Sequence, residues 1–240
     1  MHPVLLQLGD LPINSYAVFV ALSFGVAWRI RRAEVVRLGH RSWPGYPWVL
    51  VGALLGAIVG AKLGMFMFET TLRIDRMLSL DFTGKTVVGG LIGGYVGVEL
   101  AKKKVGITES TGDAFAVAVP MAQAVGRIGC LLNGCCYGTA SSLPWALPLA
   151  DVTRHPTAVY ESVLLVGLAA WLWSNRLKPR PAGHLFRRYL VGYATIRFVL
   201  EFFRGDPSNH LGPVSIVQVV CLLAVGLFGT LIIRGERHRT

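Results

Sequence analysis

The residue types most suited to chemistry crowd into one stretch, Gly126 to Gly138, which reads GRIGCLLNGCCYG. It places Arg127, Asn133 and three cysteines, Cys130, Cys135 and Cys136, at the end of an otherwise apolar run. A charge is expensive in hydrocarbon, so an arginine there calls for a partner or a ligand. No acidic residue lies one helical turn from Arg127 to neutralise it, and a guanidinium fork is suited to gripping phosphate. The cysteines admit three readings. They can be small buried hydrophobes, or a disulfide from Cys130 to Cys135 or Cys136 on an oxidising side of a membrane. They can also form a reactive or modified thiol site beside Arg127, whose cation lowers a thiol pKa. With at most one histidine nearby they make a poor tetrahedral zinc set, so no metal is expected. Cys221 reads as packing.

Other polar residues fall at the ends of apolar runs. Glu201 follows Arg197 by four residues and shares its helical face, and Arg204 comes three residues later. Arg154 and His155 precede Pro156, with Tyr160 and Glu161 just beyond, and Tyr16 enters the first run. Each has an ordinary explanation. Arg197 and Glu201 can be a structural ion pair, Arg204 can snorkel to an interface, Tyr16 can be a belt aromatic, and His155 an exposed loop residue. Several arginines at one depth point together to an anionic phospholipid headgroup entering from the bilayer.

The elements that must position these groups are membrane spans. Of 240 residues, 53% are hydrophobic and only 15% charged, against about 25% charged in a soluble domain. Apolar runs of spanning length number about seven: Ile13–Trp28, Trp48–Phe68, Val87–Leu100, Ala114–Leu132, Thr157–Trp173, Leu185–Phe203 and Val214–Ile233. The net charge of +11 would suit a nucleic-acid partner if clustered, but the cations sit between the apolar runs. With the N-terminus outside, 16 of the 24 Lys and Arg residues fall in inner segments and five in outer ones, among them Arg73, Arg76 and Lys85. The other three, Lys62, Arg127 and Arg197, lie within spans. That bias predicts an all-α integral membrane protein with its C-terminus in the cytoplasm, facing anionic lipid and not nucleic acid.

The N-terminal segment lacks a basic region and a small-residue cleavage site, so no cleaved signal peptide is expected. No soluble domain interrupts the chain, so residues 1–240 read as one transmembrane domain. The longest non-apolar stretches, Thr70–Thr86 and Asn133–Pro156, both fall outside. Small residues recur every three to four positions in Val51–Gly64 and Gly89–Gly97, which predicts close helix packing. Gly89 and Gly90 can alternatively offer backbone amides to an anion.

The run Gly126-Arg127-Ile128-Gly129, with Asn133-Gly134 and Gly138, resembles the signature of the prolipoprotein diacylglyceryl transferase family. The similarity extends to Gly89–Gly94, to Arg154–Thr157 with Tyr160-Glu161, and to the Arg197–Arg204 segment. The resemblance implies an inner-membrane enzyme, its site facing the outer leaflet. It moves a diacylglyceryl group from phosphatidylglycerol to the thiol of a lipobox cysteine in a secreted precursor, releasing glycerol phosphate without a cofactor. By that resemblance Arg127 and Arg197 bind the headgroup phosphate and Glu201 orients Arg197. Tyr16, Asn133 and His155 are auxiliary polar groups, Arg154, Glu161 and Arg204 line the substrate, and Gly89-Gly90 shape the cavity. Three positions depart from the family pattern: Val88 stands where a histidine is usual, Cys130 replaces an asparagine, and Cys135 replaces a glutamate. His155, Glu161 and Asp206 are then the groups available as base. Two further functions fit an altered site, a relative that binds or moves phospholipid without transfer, and a membrane thiol-redox protein using Cys130, Cys135 and Cys136.

Overall fold

The computed structural model describes residues 2–8, 11–40, 43–68, 87–149, 152–205, 210–211 and 213–237. The expected outer stretch 70–86, with Arg73, Arg76 and Lys85, lies outside the described residues, as does Asp206. The described chain is predominantly helical. Seven α-helices are seen among these residues: α1 (Ser15–Arg37), α2 (Tyr46–Phe68), α3 (Val87–Val105), α4 (Ala118–Asn133), α5 (Thr157–Asn175), α6 (His184–Glu201) and α7 (Ile216–Arg237). A short 3-10 helix, Gly112–Phe115, precedes α4. Among the described residues, four stretches are long and apolar enough to cross a membrane: Tyr46–Gly64, Gly112–Asn133, Thr157–Asn175 and Ile216–Gly235. Large apolar side chains stay exposed along them, including Leu55, Val59, Val163, Val166, Leu223 and Leu227. An apolar exterior of that extent is what lipid contact requires and what a water-soluble surface avoids. The protein is an all-α membrane protein.

Three antiparallel two-stranded hairpins decorate the helices: β1 (Val4–Leu8) with β2 (Leu11–Asn14), β3 (Leu147–Leu149) with β4 (Val152–Arg154), and β5 (His210–Leu211) with β6 (Val214–Ser215). Ile13, expected to open the first span, belongs instead to β2. The side chain of Asn14 caps α1 by accepting from the Tyr16 amide at 2.9 Å, and this sets the helix start at Ser15.

The chain forms two compact units. The second comprises Gly39–Glu109 and Pro207–Val219 and is built on the pairing of α2 with α3. Its glycines explain the sequence periodicity. A Cβ placed on Gly56 or Gly93 would fall on the carbonyl oxygen of the other, so the backbones touch only because both side chains are hydrogen. Gly60 faces the Gly89 carbonyl in the same way, and Gly90 lies over Ala57 and Ala61. Gly89 and Gly90 therefore serve the α2–α3 contact. Val88 precedes them in the first turn of α3.

The first unit comprises Met1–Leu38, Ser110–Asp206 and Val220–Thr240. In it α4 packs between α1 and α5, and α6 packs on α5. Its interior is apolar at Leu165, Leu172, Ala124, Ala158 and Ala194. Helix α1 continues nine residues beyond the Trp28 end expected from hydropathy, because its charged end is paired. Glu34, 2% exposed, accepts from Arg37 at 2.6 Å and meets Arg176 of the segment after α5 at 3.3 Å. Arg31 stacks near Trp28 and Phe115.

The start of α6 has a remote cap. Its preceding residue is Gly183 in the left-handed region, which carries no side-chain oxygen. Asp113 of the 3-10 helix substitutes, accepting from the Gly183 amide at 2.8 Å and the Phe186 amide at 2.9 Å. A carboxylate at a helix N-terminus satisfies orphan amides and meets the positive end of the helix dipole. Asp113→Ala is expected to cost about 1–2 kcal/mol, measured as a lowered thermal midpoint of the detergent-solubilised protein.

Candidate functional site

The site grows from the end of α4. After Asn133 the helix stops at Gly134, whose φ of 71° is left-handed. The Gly134 amide donates to the Leu131 carbonyl and the Cys135 amide to the Cys130 carbonyl, both at 3.1 Å. This pair of bonds is a Schellman motif, and it folds Cys135 back over Cys130. The Cys135 thiol also lies 3.5 Å from the Cys130 carbonyl. Cys136 follows at φ 60°, an uncommon conformation for a side chain other than glycine or asparagine. The result brings the sulfurs of Cys130, Cys135 and Cys136 within 4.8 Å of one another. All four cysteines are free, so the sequence's disulfide alternative is not the arrangement seen. Cys221 is a buried packing residue.

The chain beyond the turn is clamped on both sides. The Gly138 amide donates to the His155 carbonyl at 2.9 Å, Thr139 to Phe203 at 2.9 Å, and His155 back to Thr139 at 3.1 Å. Gly205 donates to Tyr137 at 3.2 Å, and the Thr157 hydroxyl donates to the Cys136 carbonyl at 2.7 Å. A Cβ on Gly138 would come within 2.6 Å of the His155 Cβ and 2.5 Å of the Phe203 carbonyl, so no larger residue fits. Three segments far apart in sequence, around residues 138, 155 and 204, are thus joined at one place.

That place gathers the arginines. Arg127, 8% exposed, meets Glu161 of α5 at 2.9 Å. No acidic residue lies one turn away along α4, as expected, but a partner comes from another helix, where (i, i+4) spacing cannot reveal it. Ser162 beside it donates to the Ala124 carbonyl at 3.0 Å and fixes α5 against α4. On α6, Arg197 pairs with Glu201 at 2.6 Å, as the spacing predicted, and Arg204 approaches Glu201 at 4.0 Å. Arg154 donates to the Gly138 carbonyl at 3.4 Å and stacks on Tyr137 at 4.8 Å. The four guanidiniums outnumber Glu161 and Glu201 by two positive charges.

Among the described residues, Arg197 Nη1 and the Tyr193 hydroxyl have no hydrogen-bond partner, and both residues are under 9% exposed. They lie four residues apart on α6, one above the other. Tyr193 interacts electrostatically with Arg127, Arg197 and Glu161. A buried donor without an acceptor is costly, and these two adjoin the arginine cluster. Tyr193 was not singled out from sequence, although its spacing from Arg197 was a usable signal.

The remaining predicted residues fall around this core. Tyr16, half-buried at the start of α1, is in electrostatic reach of Arg127 and the three thiols. Gly129 lets α1 approach, since a Cβ there would meet the Phe19 side chain at 2.7 Å. Asn133 is the last residue of α4 and bonds through its side chain with Cys135. The His155 Nδ1 lies 3.3 Å from the Tyr160 hydroxyl, which accepts from Trp145 Nε1 at 2.7 Å, and its ring packs edge-on against Phe203. The Cys136 thiol is held well below the ordinary thiol range, first by donation from the Cys130 and Cys135 thiols and then by Arg127 and Arg204. Gly89, Gly90 and Val88 belong to the second unit.

The family model described as prolipoprotein diacylglyceryl transferase matches residues 3–234. The chain belongs to the prolipoprotein diacylglyceryl transferase family. It is similar to a phosphatidylglycerol–prolipoprotein diacylglyceryl transferase of Clostridium tetani, 32% identical over 100% of this chain and 99% of the relative. Relatives of the same name from Bordetella avium and Idiomarina loihiensis are 33% and 34% identical, covering 88% and 90% of this chain and 84% and 85% of their own. The range matched by the family model, residues 3–234, includes every segment that builds the arginine cluster.

Proposed function

We propose that this protein is a multi-pass enzyme of the bacterial cytoplasmic membrane that transfers the diacylglyceryl group of phosphatidylglycerol to a cysteine thiol of a secreted precursor. It spans seven times, with its N-terminus outside and its site toward the outer leaflet, as the loop charges favour. The observation that carries the reading is the pair of unpartnered buried donors, Arg197 Nη1 and the Tyr193 hydroxyl, beside Arg127. A phosphodiester supplies the acceptor oxygens these groups lack.

In the reaction the precursor's thiolate attacks the glycerol carbon that carries the phosphate. A C–S bond forms, the C–O bond breaks, and glycerol phosphate leaves with the bonding electrons. Arg127 and Arg197 stabilise the charge that grows on the departing phosphate. Glu161 and Glu201 hold these two guanidiniums in place, and Arg154 and Arg204 attract the headgroup at the rim. Tyr16, Tyr193 and Asn133 complete the polar lining.

Val88 can carry no proton, so the base lies elsewhere. Glu161 is committed to Arg127, whereas His155 is half-buried, outside any ion pair among the described residues, and held by the Tyr160 hydroxyl. We assign it the thiol proton. His155→Ala is expected to lower kcat about 10²- to 10⁴-fold, read as the rate of lipidated peptide formation. Increase of phosphatidylglycerol KM with kcat unchanged would assign His155 to binding instead.

Complementation tests the function in cells. In a strain depleted of its own family enzyme, expression of this chain yields lipoproteins with a diacylglyceryl thioether, read by mass spectrometry. Unmodified precursors accumulating while the chain is present in the membrane would refute the transfer reading.

A further inference from the structure

The thiol cluster has no part in the transfer step, yet its geometry is specific. We propose that Cys130, Cys135 and Cys136 form a three-thiolate site for one soft, closed-shell metal ion, with monovalent copper as the reference case. The three sulfurs lie within 4.8 Å of one another. An ion bound about 2.3 Å from each of three sulfurs in a plane needs them about 4.0 Å apart, so shifts well under the length of one bond suffice.

The backbone that places the sulfurs is secured by groups outside the cluster. The Schellman turn returns Cys135 to Cys130, and Thr157 of α5 anchors the Cys136 carbonyl at 2.7 Å. The backbone hydrogen bonds joining Gly138 and Thr139 to His155 hold the following residues. Cys136 keeps its left-handed φ of 60° in this setting, and such strained positions persist where surrounding structure over-determines them. The site is therefore shaped before an ion arrives, and its formation does not depend on binding.

Donor chemistry selects the ion. The cluster holds sulfur only, with no histidine or carboxylate among the described residues joining it. All-thiolate sets favour monovalent copper over hard cations. Zinc in a structural site wants a fourth ligand that this group does not provide. Cationic groups lie beside the charge: three thiolates with one monovalent ion carry two negative charges. Arg127 and Arg204 both act on Cys136, and Arg127 acts also on Cys130. Paired guanidiniums make such a charge tolerable at a partly buried position.

The test uses the full chain in detergent, fully reduced and free of oxygen, titrated with monovalent copper against a chromogenic copper chelator. The expected result is one ion per chain, retained by Cys221→Ser and lost by Cys130→Ser and by Cys136→Ser. Absence of binding in the reduced wild type, survival of binding in Cys136→Ser, or loss in Cys221→Ser overturns the proposal. Copper-edge X-ray absorption of the loaded wild type decides independently of whether the variants fold. A shell of three sulfurs supports the site, and a shell containing nitrogen or oxygen, or two sulfurs only, overturns it. No phospholipid or peptide enters these measurements, so their outcome leaves the transfer reaction untouched.

Discussion

Replacing Arg127 by alanine removes transfer and weakens the fold together, and the two losses separate in a double variant. Arg127 and Glu161 are both almost fully buried and meet at 2.9 Å. Removing the cation leaves Glu161 uncompensated in a low-dielectric interior, which costs about 3–5 kcal/mol. It also removes a guanidinium from the departing phosphate, and loss of one such charge-stabilising donor lowers kcat about 10²- to 10³-fold. Arg127→Met combined with Glu161→Gln keeps volume and removes both charges. Thermal unfolding is expected to recover in that double variant, because replacing a buried pair with a neutral set is often tolerated. Transfer of the diacylglyceryl group is expected to stay lost. Recovery of both would make Arg127 a purely structural residue.

Replacing Arg197 by lysine produces the second large effect, with little change in stability. Lysine keeps the positive charge and its pairing with Glu201, one turn away at 2.6 Å. It lacks the fork whose second arm, Nη1, is unpartnered among the described residues. An ammonium is a point charge and does not reproduce two-point recognition of a phosphate. Transfer is expected to fall about 10²-fold or more, in line with loss of an oriented donor, while the thermal midpoint holds. The readout is kcat for peptide lipidation beside an unfolding curve. Wild-type transfer by Arg197→Lys would show that its Nη1 does not face the substrate.

Helix positions were largely legible because hydropathy follows bilayer thickness. The expected run Thr157–Trp173 became a helix over Thr157–Asn175, and Trp48–Phe68 became one over Tyr46–Phe68. The first helix ran past its expected end because the Glu34 pairs with Arg37 and Arg176 are tertiary and leave no mark in hydropathy. Pairing within one helix was equally readable, as Arg197 and Glu201 illustrate. Pairing between helices was not: Glu161 stands 34 positions from Arg127, and no periodicity links them. Asp113 capping α6 escaped for the same reason, since its amides are 70 and 73 residues distant. The cysteine spacing was visible, but its convergence depends on the left-handed turn at Gly134 and the positive φ of Cys136. The first is a familiar role for glycine; the second has no sequence signature.

The most direct measurement reconstitutes the purified protein in vesicles of labelled phosphatidylglycerol with a lipobox peptide, with the Clostridium tetani relative in parallel. Both proteins are expected to form a thioether-linked diacylglyceryl peptide, with one glycerol phosphate released per peptide modified. Product from the relative alone, with this protein folded and present in the vesicles, would contradict it.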